Sequence, residues 1–163
     1  MSDCCASNAG ETCSVPERGE ALCPKCAAKG KSIATITVKS LVRDHTRVSA
    51  DALYRFCRAP QCDVVYFSHA DVFVKADLKV RVGIKEEEDP IPLCYCFGYD
   101  REDMRRDIES QGMGDIPALI KAEVQGGFCA CEVKNPSGSC CLGDITRAKQ
   151  EATALAATSG DGS

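Results

Sequence analysis

Cysteines are the residues in this chain whose number and spacing could do chemistry. The 163-residue sequence contains 13 cysteines, against two histidines and no tryptophan. Six of them lie in one stretch, as Cys94-Tyr-Cys96, Cys129-Ala-Cys131 and Cys140-Cys141. Thiolates are ligands for zinc, Cu(I) and iron–sulfur clusters. Our hypothesis is that four of these six thiolates hold a 2Fe–2S cluster.

Composition limits the classes of protein that fit. The odd cysteine count excludes complete intramolecular disulfide pairing, and the N-terminus has no basic and apolar segments of a secretory signal. We therefore expect a cytoplasmic chain whose thiols bind metal. No apolar run approaches the length of a membrane span, so no membrane insertion is expected. The net charge of −4 and the scattered basic residues argue against nucleic acid as a partner.

The first half carries a second set of four cysteines. Cys23-Pro-Lys-Cys26 has the form of a zinc knuckle, and Cys57 and Cys62 follow about 30 residues later. Two such pairs suit a tetrahedral Cys4 zinc site, with iron in a rubredoxin-like site as the competing interpretation. His69 is an alternative zinc ligand, although a turn residue is the simpler interpretation. Neither His69 nor His45 has a nucleophile to pair with, so we expect no enzymatic activity.

An α+β fold is predicted, in two units. Residues 1–20 form a flexible tail, in which Cys4, Cys5 and Cys13 are either exposed thiols or a hook that captures Cu(I). Residues 21–90 form a small zinc-stapled unit. Its predicted elements are strands at 33–38, 63–68 and 72–78, an exposed edge strand at 79–84, and a short helix at 49–56.

The second unit is predicted to be helical and to span residues 91–147. The linker Asp89–Pro92 precedes it. Helices are expected at 101–111, with Asp100 as N-cap, and at 116–124, with Asp115 as N-cap. This helical hairpin brings Cys94 and Cys96 near Cys129, and a turn at 135–138 returns Cys140 and Cys141. A last helix begins near residue 143, and residues 148–163 are its end and a tail.

The spacing of the second set resembles that of the bacterioferritin-associated ferredoxin (BFD-like) family. In that family Cys-x-Cys, about 32 residues and further cysteines hold a 2Fe–2S cluster at one end of a small helical fold. Cys94, Cys96 and Cys129 match the first three positions. The fourth position departs from the family pattern. We assign it to Cys140, and Cys131 and Cys141 stay open as alternatives.

A longer resemblance covers roughly residues 22–146. Cys23-Pro-Lys-Cys26, Cys62-Asp-Val-Val-Tyr-Phe67, Cys94-Tyr-Cys-Phe-Gly98 and Asn135-Pro-Ser-Gly-x-Cys-Cys-Leu-Gly143 are similar to the zinc and 2Fe–2S N-terminal domain of CopZ-type copper chaperones. The resemblance implies a zinc ion, a cluster and a role in copper trafficking to a Cu(I)-transporting ATPase, including reduction of Cu(II) to Cu(I).

One part of the chaperone pattern is missing from this sequence. No heavy-metal-associated domain with a Met-x-Cys-x-x-Cys loop is present among the 163 residues. Copper transfer would then depend on the tail cysteines or on a separate copper chaperone. Two other interpretations stay open: a module that binds or scavenges thiophilic metals around a structural cluster, and an enzyme that uses Cys140-Cys141 as a redox-active pair.

Overall fold

Two groups of secondary-structure elements follow one another along the chain. A computed structural model describes residues 21–111 and 114–159. The first group contains β1 (Lys31–Ser32), α1 (Thr35–Leu41), β2 (Arg55–Phe56), β3 (Val64–Phe67) and β4 (Val72–Val74). The second contains β5 (Pro92–Cys94), β6 (Tyr99–Asp100), α2 (Arg101–Gln111), α3 (Ile116–Gln125), α4 (Cys131–Lys134) and α5 (Leu142–Ser159). Helices and antiparallel sheet agree with the predicted α+β class.

The first group is an antiparallel sheet in the order β1-β2-β3-β4, with a helix packed beside it. In the register, Phe56 pairs with Tyr66, and an irregularity between Val64 and Tyr66 shifts the β3–β4 pairing. All four residues of β3 are buried, as its run of Val, Val, Tyr and Phe predicts. The prediction of a strand at 63–68 is therefore confirmed.

Two elements of the first unit were predicted wrongly. Residues 33–38 were expected to be a strand, but α1 covers most of them and buries Thr37, Val38 and Leu41 on one helical face. Residues 49–56 were expected to be a helix. Instead the buried Tyr54 hydroxyl accepts the Ser49 N–H (2.9 Å) and donates to the Asp71 carboxylate (2.8 Å), and only β2 is regular there. In both places tertiary contacts outweigh local propensity.

The region after β4 also differs from its prediction. The chain leaves β4 through a 3-10 turn at Lys75–Asp77, so the strand expected at 72–78 is shorter. The exposed edge strand expected at 79–84 is wrong. That segment instead ends in a 3-10 turn at Gly83–Lys85, whose Lys85 side chain is buried.

The second group packs two helices, α2 and α3, against α5. Met104, Ile108, Ile120 and Ile145 are buried at their junction. Asp100 caps α2 as predicted: its carboxylate accepts the Asp103 N–H (2.8 Å), and the Asp103 carboxylate accepts the Asp100 N–H (3.1 Å).

The start of α3 was predicted only in part. Asp115 makes no side-chain cap, contrary to expectation. The Asp107 carboxylate of α2 accepts the Ile116 N–H instead (2.8 Å). Ile116 and Ile120 are buried, whereas Leu119 is 53% exposed.

Residues 131–138 of the second group pack back onto the first. The buried Tyr66 hydroxyl donates to the Pro136 carbonyl (2.8 Å), and the Lys31 ammonium donates to the Ser137 carbonyl (3.0 Å). Gly138 lies against α1 with a positive φ of 62°, and a Cβ there would be 2.6 Å from an Ile33 methyl. Among the described residues, no helix has both the length and the apolar composition needed to cross a bilayer.

Candidate metal centres

The four cysteines of the first unit form one compact cluster of sulfurs. The Sγ atoms of Cys23, Cys26, Cys57 and Cys62 all lie within 4.8 Å of one another. Cys23 and Cys62 are 3.8 Å apart, and Cys26 and Cys57 are 3.6 Å apart. A tetrahedral zinc ion with bonds of 2.3 Å places its sulfurs about 3.8 Å from one another. These residues therefore fit one Cys4-bound zinc ion, and His69 is not in the group.

A knuckle turn and a strand end position these thiols. The Cys23 N–H donates to the Ala28 carbonyl (2.8 Å), and the Ala27 N–H donates to the Cys23 carbonyl (2.9 Å), which closes the knuckle. On the other side, Cys57 continues β2 by donating its N–H to the Val65 carbonyl (2.9 Å). The sheet thus presents one thiol pair to the knuckle that carries the other.

Burial makes two of these four thiols unfavourable as thiolates without a metal. Burial raises the pKa of Cys57 to about 12 and also raises the pKa of Cys62. Cys26 is the exposed member, and the Ala28 N–H lowers its pKa to about 7. A bound cation would favour the deprotonated form of all four thiols.

A buried lysine, which was not predicted from the sequence, lies beside the loop that joins Cys57 to Cys62, called the zinc loop below. Lys85 is only 4% exposed, and its ammonium donates to the carbonyls of Ala59 (2.6 Å) and Cys62 (2.9 Å). A buried ammonium is costly unless it is hydrogen-bonded and compensated by negative charge. Four thiolates around a divalent ion would carry that charge. A lysine in a run of acids gave no local signal of this role.

The cysteines of the second unit form two separate pairs. The Cys94 and Cys141 sulfurs are 3.2 Å apart, and the Cys96 and Cys131 sulfurs are 3.6 Å apart. Among the described residues, the first-unit cysteines are the group of three or more potential ligands whose ligand atoms all lie within 4.8 Å of one another. No three of the four sulfurs in the second unit are therefore within 4.8 Å of one another. The arrangement is two close pairs rather than one tetrahedron.

Three of these four thiols lie at the end of a regular element, and Cys96 lies in a tight turn. Cys94 ends β5, and the tight turn to β6 holds Cys96, with Gly98 at a φ of 76°. Cys131 is the first residue of α4, and Cys141 directly precedes α5. The side chain of Asn135 shapes the turn between the last two: its amide donates to the Ser139 carbonyl, 2.8 Å away.

Hydrogen bonds to sulfur distinguish the members of these pairs. The Cys141 thiol, together with backbone N–H groups of Phe97 and Cys96, lowers the pKa of Cys94 to about 6. The same contact raises the pKa of Cys141. The Ala130 N–H lies 3.2 Å from the Cys96 sulfur. Backbone amides therefore point at the sulfurs, as in sites that hold anionic metal–sulfur centres.

The remaining predicted ligands lie outside these pairs. Cys140 is exposed and Cys129 is half-exposed, and within the described residues neither sulfur makes a close sulfur contact of this kind. Cys131 and Cys141, named as alternatives from the sequence, occupy the paired positions instead. Cys4, Cys5 and Cys13 lie outside the described residues.

Comparisons with known proteins point to one family. Residues 20–79 match the zf_CopZ family model, described as a zinc binding domain. The copper chaperone CopZ of Archaeoglobus fulgidus is 35% identical over 125 residues, which are 77% of this chain and 60% of that protein. The chain thus spans less than two thirds of that relative's length. The X-ray structure of the A. fulgidus CopZ N-terminal domain superposes with a TM-score of 0.65 at 32% identity, covering 78% of this chain and 96% of that one.

Proposed function

The chain belongs to the family of the CopZ N-terminal domain, and on that premise we propose that it is a non-enzymatic metal-handling protein. It holds a structural zinc ion in the first unit and a redox-active 2Fe–2S cluster in the second. Its role is in copper trafficking. Its proposed partner is a Cu(I)-transporting ATPase or a separate copper chaperone.

The observation that carries the cluster proposal is the pairing of sulfurs in the second unit. A 2Fe–2S cluster has two irons, and each iron takes two cysteine thiolates beside the bridging sulfides. Its four thiolates therefore form two close pairs that are set apart from each other. Cys94 with Cys141, and Cys96 with Cys131, have this pattern. We propose these four as the ligands, in place of Cys129 and Cys140.

The protein's own residues fit an anionic centre of this kind. Cys94 and Cys141 are almost fully buried, whereas Cys96 is half-exposed. Amide hydrogen bonds to the sulfurs stabilise negative charge and favour the reduced state. The half-exposed side at Cys96 is the face through which an electron would pass to a partner. When bound, the cluster would supply one electron at a time, which is the number needed to convert Cu(II) to Cu(I).

A second candidate function is favoured by the two unpaired thiols of the second unit. Cys140 is exposed and Cys129 is half-exposed, so both are accessible to a thiophilic ion such as Cu(I). On this proposal the protein binds or scavenges metal, and the cluster is structural. Cys4, Cys5 and Cys13 would add to that capacity.

The cluster is tested on protein purified without oxygen. We expect one zinc, two irons and two sulfides per chain, visible absorption, and an EPR signal after reduction with dithionite. Cys131→Ser and Cys141→Ser should lower the iron content strongly, whereas the neighbouring variants Cys129→Ser and Cys140→Ser should retain it. A colourless protein without iron and sulfide would exclude the cluster. If only Cys129→Ser and Cys140→Ser lost iron, the ligands would include Cys129 and Cys140, as the sequence predicted.

The two functions are separated by measuring copper. If the protein reduces copper, then mixing the reduced protein with one equivalent of Cu(II) should reoxidise the cluster and produce Cu(I), detected with a Cu(I)-specific chelator. If it scavenges copper, then Cys129→Ser, Cys140→Ser or removal of residues 1–20 should weaken Cu(I) binding without changing the reduction. Unchanged affinity in all three would contradict the scavenging proposal.

A further inference from the structure

We propose that the 3-10 turn Gly83–Lys85 mechanically links the two metal centres, and that Tyr95 is the residue through which the loop Cys94–Cys96 is positioned. The inference rests on the proposed function for the identity of the metals. The contacts themselves are independent of it. They run from the zinc loop to Lys85, along the turn, and from the turn to Tyr95.

Tyr95 lies between two of the proposed cluster ligands, but its hydroxyl reaches the other unit. The hydroxyl accepts the Gly83 N–H at 2.8 Å and donates to the Arg81 carbonyl at 2.8 Å. One side chain thus satisfies both a donor and an acceptor of the segment that leads into the turn. Because Cys94 and Cys96 flank Tyr95 directly, this anchor restricts the backbone that aims both sulfurs.

Close backbone contact strengthens the same junction. A Cβ at Gly83 would lie 2.2 Å from the Pro92 carbonyl oxygen, so the turn rests directly on the first residue of β5. β5 ends at Cys94. A shift of the turn must therefore move β5 or break this contact.

The other end of the turn holds the zinc loop. Lys85 is the last residue of the turn, and its ammonium donates to the carbonyls of Ala59 and Cys62. These two carbonyls belong to the loop that joins Cys57 to Cys62. Lys85 therefore fixes the loop's backbone without binding the metal.

The turn is also clamped from outside, so it moves as a unit. The Arg81 guanidinium binds the Glu86 carboxylate (2.8 Å) and the Pro90 carbonyl (2.6 Å). The Lys75 ammonium donates to the Lys85 carbonyl (3.1 Å). A displacement at Lys85 is therefore transmitted to Gly83 rather than absorbed between them.

Hydrogen exchange of backbone amides tests this link with variants that change no metal ligand. Tyr95→Phe should raise exchange at Gly83, whose N–H loses its acceptor. It should also raise exchange in residues 94–98 by about fivefold or more, because that loop loses its anchor to the turn. Lys85→Met should raise exchange both in residues 57–62 and, at a distance, in residues 94–98. In the Tyr95→Phe background, Lys85→Met should still change residues 57–62, and its effect on residues 94–98 should be smaller.

Two controls match these variants. Tyr99→Phe removes a hydroxyl from the same hairpin, and this hydroxyl makes no hydrogen bond among the described residues. Lys79→Met removes an ammonium that donates to the Ser40 carbonyl. Neither should affect residues 94–98. If Lys85→Met does not fold, Lys85→Gln, which keeps a donor, should give the same pattern with a smaller amplitude.

The link is overturned if Lys85→Met leaves residues 94–98 unchanged, or if its effect there is the same with and without the Tyr95 hydroxyl. Iron release to a chelator gives a second readout, which Tyr95→Phe should accelerate and Tyr99→Phe should not. Protein without iron and sulfide that still shows the exchange pattern would refute the cluster and leave the link intact. Full iron content without this exchange pattern would support the cluster and refute the link.

Discussion

Removing the hydroxyl of Tyr66 should destabilise the whole protein. Tyr66 is fully buried in β3, and its hydroxyl donates to the Pro136 carbonyl, 70 residues away in sequence. Tyr66→Phe keeps the ring and its packing but leaves a buried carbonyl without a donor. That carbonyl lies in the turn between Cys131 and Cys141. The substitution therefore tests whether the two units are held together by specific polar contacts.

The size of the effect follows from the burial of both partners. A buried carbonyl that loses its partner costs about 1–3 kcal/mol. With a urea slope of about 2 kcal/mol per molar, the unfolding midpoint should fall by about 0.5–1.5 M. Burial also raises the pKa of the Tyr66 hydroxyl, so the group is a neutral donor throughout the usual pH range and no charge is lost.

The measurement is urea unfolding of the metal-loaded protein at fixed free zinc, because metal binding shifts the apparent free energy of unfolding. Tyr99→Phe is the matched control and should change the free energy by less than about 0.5 kcal/mol. A midpoint shift below about 0.2 M for Tyr66→Phe, or one equal to the control, would refute the reasoning. It would mean that the hydrogen bond from Tyr66 to Pro136 does not hold the two units together.

Three further substitutions or titrations follow from local geometry. Gly138→Ala should lower the free energy of unfolding in urea by about 1–2 kcal/mol more than Gly98→Ala does. Both glycines have a positive φ, but only at Gly138 would a Cβ overlap a neighbour. Equal losses would refute the overlap. Asp107→Ala should cost about 1 kcal/mol through the lost cap of α3, whereas Asp115→Ala should be nearly neutral in a thermal melt; the opposite ranking would contradict the assignment. Zinc binding to folded apo-protein should release about 0.8 fewer protons at pH 8 than at pH 6, because Cys26, with a pKa of about 7, is already deprotonated at the higher pH. Calorimetry in buffers of different ionisation enthalpy measures the release, and a constant value would place that pKa elsewhere.

Helices with strong local signals were predictable from the sequence. The predicted bounds of α2 agree with the structure because Asp100, acids in the first turn and an apolar repeat all act within a few residues. α1 was not predictable, since Ile36 and its β-branched neighbours favour a strand locally. Its buried face packs into the core of the sheet and against α4, which is almost 100 residues further along the chain.

In the candidate sites too, features with a local sequence signal were predictable, and features that depend on distant contacts were not. Two spaced cysteine pairs were enough to predict the first-unit group of four thiols, which the structure brings together. The choice between Cys129 and Cys131 could not be made from spacing, because a shift of two residues is small against a loop of over 30. It depends on where α4 begins, which is a tertiary property. Lys85 and Tyr95 had no sequence signal because their partners are backbone groups of distant residues.

The sulfur contacts divide the chain into two nested sets of loops that do not cross. Cys23–Cys62 encloses Cys26–Cys57, with separations of 39 and 31 residues, and Cys94–Cys141 encloses Cys96–Cys131, with separations of 47 and 35. Closing an inner loop first leaves little additional chain entropy to lose when the outer loop closes. All thiols of the first set precede those of the second, so during synthesis the zinc unit can close before Cys94 leaves the ribosome. The surface onto which Pro136 docks is then in place when the second set arrives.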